Sequence, residues 1–549
     1  MIVENPQRVS GGGKTMRWKC KAWLASRRAW CDAALLLVLF AFVVSLQIAS
    51  GAYRSEFAGY PDEPAHYVTS LMVRDYIAQM HWFEPTQFAQ DYYAHYPKVA
   101  FGHWPPLLYV VQAAWMLVFS PARASVLLEL ALLTTILAFS LYAIARARFG
   151  WKVGAAAGLL LASLPEIQLY TDEVMAETLL VLVTFWGVIF FVRYMDSERW
   201  QDSMWFGIFS SLAVLTKGNG WEIAFVPPVA LILTRRWRLL LRPPFWLPVL
   251  IVSVLCVPWQ VWSFPMVHRG WTGGDTPNAA YAVQAMGAYV TILVGYMGFV
   301  LTAFAVLGVA VTVVAPLLRS RVEPIWAAML GLILGVWTFS ILVPAGVESR
   351  KTICAIPALI LFLCAGAKWV ADRLSMGLRL AAWRPAAVTA LLAAAFALQT
   401  FAIPREMYYG FANAAGFVAT KTDGRDLMVL VSSERDGEGL LIAETAMREH
   451  RPTHTFLRGT KALSTSDWTG SLYQCNFTSA VEVERYLAKA GVGLVVIDTY
   501  TPKIRFLHHQ LILRAIREDP ASWQLLRRFP GQPDTNGEVR VYSFRHNNY

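Results

Sequence analysis

Charge is scarce in this sequence. Asp, Glu, Lys and Arg together make up 15% of its 549 residues, where soluble domains carry about 25%. Apolar residues make up 56%. This shortage excludes an ordinary soluble enzyme. Cysteine is scarce too. Cys20, Cys31, Cys256, Cys354, Cys364 and Cys475 have neither metal-ligand spacing nor an evident pairing, so no zinc module or disulfide scaffold is readable. There is no internal repeat of the kind that builds many transporters, and no ten-residue alternation of a membrane barrel. There is also no separate basic domain, so the formal charge of +11 is not read as nucleic-acid binding.

What the chain does have is long apolar runs, near 33–50, 106–120, 124–146, 152–168, 174–194, 204–217, 221–234, 244–264, 286–316, 324–344, 353–370 and 385–403. Crossing a bilayer takes about 20 such residues, which predicts a polytopic α-helical membrane protein. The basic N-terminus followed by the run from Ala33 to Ser50 reads as an uncleaved first span. Counting every run as a span would put Arg146–Lys152, Arg235–Arg242, Arg319–Glu323 and Lys368–Arg384 outside, against the positive-inside rule. Removing one crossing repairs all four loops. Pro105–Ser120 is short and bracketed by prolines, so it is read as a juxtamembrane helix. The expectation is about eleven spans, with a cytoplasmic tail (1–32), a membrane domain (33–404) whose first outer loop is 51–123, and an exterior domain (405–549). In that last domain Leu427–Ser432, Leu494–Asp498 and Val539–Phe544 read as strands and Val481–Ala490 as a helix, so a small α/β domain is expected. Asn476-Phe477-Thr478 matches a glycosylation sequon, a triplet too common to carry weight.

The outer loops hold the chemistry. Asp62 and Glu63 lie between Pro61 and Pro64, where a carboxylate could cap a helix or act as a base. Tyr170-Thr171-Asp172-Glu173 places a second acidic pair on the same side, with Glu177 one turn on. Two separated carboxylate sites suit general-base work. His81, Glu84, Asp91, His95, Lys98 and His103 fit no zinc spacing; they form either a metal site or a folded interfacial loop. Lys98, Lys217, Arg350 and Lys351 are outward cations that the topology rule makes exceptions. Each is either a phosphate ligand or a snorkelling anchor.

Together these motifs resemble a known family. Pro61-Asp62-Glu63-Pro64-Ala65-His66-Tyr67 resembles the first-loop acidic motif of GT-C glycosyltransferases, among them protein O-mannosyltransferases and lipid A aminoarabinose transferases. His103-Trp104-Pro105-Pro106-Leu107 resembles the start of their second juxtamembrane helix, with His103 where many members have Lys. Asp172 matches their second acid and Thr216-Lys217-Gly218 their Thr-Lys-Gly turn. Glu348-Ser349-Arg350-Lys351 resembles their Glu-x-Arg-Tyr segment, with Lys351 in place of Tyr. The resemblance covers about 50–370. It implies an inverting glycosyltransferase that moves a sugar from a polyprenyl-phosphate donor to a lipid, glycan or protein acceptor. The protein would lie in the bacterial inner membrane, with its N-terminus cytoplasmic and its C-terminal domain periplasmic. Asp62, Glu63 and Asp172 would be catalytic, and Lys98, His103, Lys217, Arg350 and Lys351 would bind the donor phosphate. His66, Tyr67, Glu173 and Glu348 would position substrate. No metal is assigned, though Asp62 and Asp172 are the candidates for a Mg or Mn ion. The alternatives are a transporter or flippase of lipid-linked sugars and a non-catalytic envelope assembly protein.

Overall fold

In the computed structural model, residues 12–545 are described apart from 58–59, 81–82, 271–277, 320, 376–383, 402, 404–406, 422–426, 435, 450–452, 467–471, 501–505 and 532–535. His81, the tail before residue 12, Ser320 and residues 376–383 of the Lys368–Arg384 loop fall outside them.

The chain begins with α1 (Gly12–Ser50). Three helices then occupy the loop after it: α2 (Glu63–Ala78), α3 (Pro85–His95) and α4 (Leu107–Val118). Twelve residues of α4 rise about 18 Å, well short of the ~30 Å hydrocarbon core. This agrees with its reading as a juxtamembrane helix. The bundle continues through α5 (Arg123–Phe149), α6 (Trp151–Ser163), α7 (Pro165–Asp172), α8 (Glu177–Ser197) and α9 (Trp200–Thr216). A 3-10 turn, Gly218–Phe225, leads into α10 (Val226–Thr234). Then come α11 (Pro243–Gly270), α12 (Ala279–Val309), α13 (Ala315–Arg319) after a π-helical turn, α14 (Pro324–Leu342), α15 (Ile356–Ser375) behind the 3-10 turn Ser349–Ala355, and α16 (Arg384–Thr400).

Among the described residues seven helices are long and apolar enough to cross a membrane, or eight if α6 and α7 form one span bent by 58°. The bend falls at Leu164–Pro165, where Leu164 is extended because the proline ring disfavours helical backbone before it. An eleven-span count also includes α9, the Gly218–Thr234 pair of helices and α16. The helices pack closely where side chains vanish. A Cβ at Gly308 would lie 1.9 Å from the Phe362 carbonyl oxygen, and one at Gly366 would lie 2.0 Å from that of Phe304. The backbones of α12 and α15 therefore touch, as small residues permit in membranes.

The C-terminal part is an α/β domain. Its elements are α17 (Phe411–Ala419), β1 (Leu427–Ser432), α18 (Gly437–Arg448), β2 (His454–Arg458), α19 (Gly459–Ala462), β3 (Ser464–Thr465), β4 (Gln474–Cys475), α20 (Ala480–Lys489), β5 (Val492–Asp498), α21 (Leu507–Glu518), β6 (Trp523–Pro530) and β7 (Glu538–Phe544). Five strands form one sheet in the order β2-β1-β5-β7-β6. β1 runs parallel to β2 and β5, with Leu427 opposite His454 and Val429 opposite Leu494, and β7 runs antiparallel to β5 and β6. Ser479 and Glu482 form a capping box at the start of α20.

This domain is fastened to the loop after α1. Tyr67, Leu71 and Met72 of α2 share one apolar core with Leu440 and Leu441 of α18 and Phe456 of β2. The buried Glu56 carboxylate accepts the backbone N–H groups of Tyr409 at 2.9 Å and Ala412 at 2.7 Å. His95 meets the His454 carbonyl at 3.1 Å. The first loop and the C-terminal domain thus lie on one face of the bundle.

Candidate active site

Asp62 precedes the first turn of α2, held between Pro61 and Pro64. Its carbonyl accepts the His66 N–H at 2.9 Å, but its carboxylate makes no capping bond to the helix. It turns instead to Arg350, with Oδ2 2.8 Å from Nη1, so the capping alternative does not describe this side chain. Arg350 is placed by the 3-10 turn Ser349–Ala355. It lies 4.1 Å over the Tyr60 ring and also binds Glu348. Lys217, at the end of α9, is ion-paired with Glu177 in the first turn of α8. Lys217 also lies near Asp62, as does His66, which carries a charge only when protonated. Burial works against the charge on Asp62, but His66, Arg350 and Lys217 outweigh it and hold the carboxyl below its ordinary range.

His66 is 3% exposed. It is stacked 4.4 Å from Trp104 and its Nδ1 lies 3.1 Å from the Tyr109 hydroxyl. Burial drives its pKa down to about 4, so it is neutral at pH 7. His103 is half-buried beside Trp104, 5.2 Å between rings; burial lowers it while Asp62 pulls the other way. Lys98 is half-buried with Asp62 among its charged neighbours, and burial followed by Arg458 brings its amine down to about 8. The structure therefore gathers Asp62, His66, Lys98, His103, Lys217, Glu348 and Arg350. Asp62 and Arg350 keep 20% and 15% of their side chains exposed, enough for a substrate to reach them.

The other expected residues sit elsewhere. Glu63 is completely buried and faces away from this group. Arg123 approaches it at 3.0 Å through Nη2, and it accepts the Val174 N–H at 3.0 Å. Arg123 also donates to the carbonyls of Ala52, Ser55 and Asp172. Asp172 and Glu173 belong to this second cluster. Asp172 has Arg123, Glu63 and Tyr53 as neighbours. Glu173 is pushed up by burial and then by Glu63, with Glu177 and Asp172 adding to it and Arg123 opposing. The Tyr67 hydroxyl donates to the Pro121 carbonyl at 2.6 Å, and the Lys351 amine donates to the carbonyls of Ala345 and Gly346. These five residues line a scaffold around the Asp62 group.

Glu177, Arg123 and Tyr60 were not among the expected site residues. Glu177 carries an acid in the first turn of a span, and Arg123 is an outward cation of the same exceptional kind as Lys217, so both had a signal. Among the described residues no group of three or more His, Cys, Asp or Glu side chains is placed to hold a metal ion, and the two candidates, Asp62 and Asp172, belong to different clusters.

Residues 103–262 match the family model described as dolichyl-phosphate-mannose-protein mannosyltransferase. ArnT from Cupriavidus metallidurans bound to undecaprenyl phosphate superposes with a TM-score of 0.57 at 15% identity, over 92% of this chain and 97% of that one. The chain has the GT-C fold. The apo form of the same ArnT gives a TM-score of 0.59 at 15% identity over 95% and 98% of the two chains. The Archaeoglobus fulgidus oligosaccharyltransferase tethered to an acceptor peptide gives 0.53 at 13% identity over 85% and 69%. These superpositions show the fold alone and leave chemistry to the site itself. A search of curated protein sequences returns no match.

Proposed function

We propose that this GT-C protein transfers a sugar from a polyprenyl-phosphate donor to an acceptor hydroxyl or amine at the membrane surface. The observation that carries the reading is the meeting of a partly exposed, ionised Asp62 with Arg350 and Lys217 on the face of the bundle bearing the first loop. The matched mannosyltransferase model and the ArnT complex with undecaprenyl phosphate support a lipid-phosphate donor. Inner-membrane placement with this face periplasmic follows from the same reading, as does the division at residues 32 and 404.

Asp62 accepts the acceptor's proton as the nucleophile attacks the anomeric carbon. The bond from acceptor to carbon forms and the bond from carbon to phosphate oxygen breaks. Its electron pair departs with the polyprenyl phosphate, and the carbon inverts. Arg350 has two carboxylate partners, Asp62 and Glu348, so an incoming phosphate can take one of its faces and free Asp62 as base. Lys217, Lys98 and His103 face the same charge. Cations aimed at a developing anion supply a large share of catalysis. Glu177 holds Lys217 in place, and Glu63 fixes the start of α2 through Arg123.

The test is a reconstituted assay of polyprenyl-phosphate release from an undecaprenyl-phosphate-linked sugar in the presence of envelope extract. Asp62→Asn should lower kcat by at least about 100-fold, the scale of a lost general base, with donor binding retained. Wild-type turnover in the variant would remove Asp62 from the mechanism. Transmembrane movement of the donor without release of polyprenyl phosphate would favour a flippase.

A further inference from the structure

Lys98 is reached by the C-terminal domain as well as by the first loop. It follows α3 in a tight turn, its N–H donating to the Tyr96 carbonyl. Its side chain runs along the first turn of α18, directly against Gly439. A Cβ at residue 439 would lie 2.8 Å from Lys98 Cε, 3.3 Å from Lys98 Nζ and 3.3 Å from the Cβ of Pro64. The space a side chain at 439 would fill is thus taken by Lys98, beside the turn that carries Asp62.

A glycine inside a helix is destabilising relative to alanine. Gly439 has ordinary helical geometry, with its N–H bonded to the Asp436 carbonyl at 3.0 Å, so α18 itself does not require it. The close approach of Lys98 does. The charged groups facing the amine come from three elements: Asp436 and Glu438 from α18 and its cap, Arg458 from β2, and Asp62 from the turn before α2. Glu438 is held by Arg458 at 3.0 Å and by the Thr460 N–H at 2.9 Å. These bonds fix the first turn of α18 relative to the sheet.

We propose that Gly439 is a positioning residue through which the C-terminal domain presses Lys98 toward Asp62, where its amine meets the donor phosphate. The domain would then act in the reaction through a contact, with no reacting group of its own. This rests on the phosphate role given to Lys98 above. Gly439→Ala is the decisive variant. The atom it strikes is the far end of a flexible side chain, so Lys98 gives way while the apolar core shared by α2 and α18 remains.

The experiment uses the full chain in nanodiscs. Residue-resolved amine labelling reads the titration midpoint of Lys98, undecaprenyl phosphate serves as the binding probe, and thermal unfolding serves as the folding control. In the wild type the midpoint should lie near 8, so lipid-phosphate affinity should fall as pH rises through that value and the amine loses its charge. In Gly439→Ala the midpoint should move up toward the ~10.4 of a free lysine. Affinity at pH 7 should drop about tenfold, the loss of one charge-assisted hydrogen bond, with the unfolding midpoint unchanged. An unmoved Lys98 midpoint overturns the proposal. So does a moved midpoint with undiminished affinity, provided that Lys98→Met binds weakly. If Lys98→Met binds undecaprenyl phosphate as tightly as the wild type, the phosphate role of Lys98 is wrong and this inference falls with it.

Discussion

At the scale of the residue, the two adjacent acids Asp62 and Glu63 show how burial separates roles. One peptide bond apart, they end in opposite environments. Asp62 keeps a fifth of its side chain exposed while Glu63 keeps none. Glu63 tolerates this because Arg123 pairs with it, and Arg123 spends its remaining donors on three backbone carbonyls. Removing one member of a buried pair strands the other charge, at a cost of about 3–5 kcal/mol. Arg123→Leu should therefore destabilise the protein by that amount, read as a lower unfolding midpoint in detergent. The double variant Arg123→Leu/Glu63→Leu should recover part of the loss, because the fully buried Glu63 carboxylate is no longer stranded. Equal destabilisation in both would show that the backbone contacts of Arg123, and not its charge, hold the turn.

At the scale of the element, the strands with continuous apolar character were readable. Leu427–Ser432 is β1 as expected, and β5 and β7 cover the other two predicted runs. β2 and β6 were not foreseen. Trp523–Pro530 alternates poorly and is largely exposed, while His454–Arg458 is short and polar, so neither shows the period of a half-buried strand. α18 hides Glu438, Glu444 and Thr445 in its interior, a pattern that hydrophobic periodicity cannot signal. The acids were readable as a set, but which of them meets Lys217 depends on helix phase. Asp172 ends α7 and Glu177 begins α8, and only the latter faces Lys217. Helix contact was also hidden. The glycine pair at the α12–α15 crossing has no periodic signature, yet Gly366→Val would drive a side chain into the Phe304 carbonyl. The two helices cannot separate without opening the membrane core, so Gly366→Val should lower the unfolding midpoint far more than Gly287→Val, where nothing lies within 4 Å. Similar midpoints would mean that the crossing adapts.

At the scale of the whole molecule, function depends on which side of the membrane the site faces. The first loop and the C-terminal domain share a core and hydrogen bonds, so they cannot lie on opposite sides. Arg123 opens α5 on that face and Phe149 closes it on the other, where Trp151 starts α6. The excess of Lys and Arg in the connections beyond α5 and α8 argues that this second face is cytoplasmic. The prediction is made with one cysteine added at a time at exposed sites, in a background carrying Cys20→Ser, Cys31→Ser and Cys475→Ser and keeping the buried Cys256, Cys354 and Cys364. Phe83→Cys and Val481→Cys, at positions 84% and 58% exposed, should both react with an impermeant maleimide added to intact spheroplasts. Trp151→Cys and Trp200→Cys, at positions 65% and 53% exposed, should react only after permeabilisation. The reverse pattern would place Asp62 in the cytoplasm, where a base acting on acceptors of the cell envelope has no substrate. Labelling of Phe83→Cys without Val481→Cys would break the docking of the C-terminal domain on the first loop, and with it the contact that brings Gly439 to Lys98.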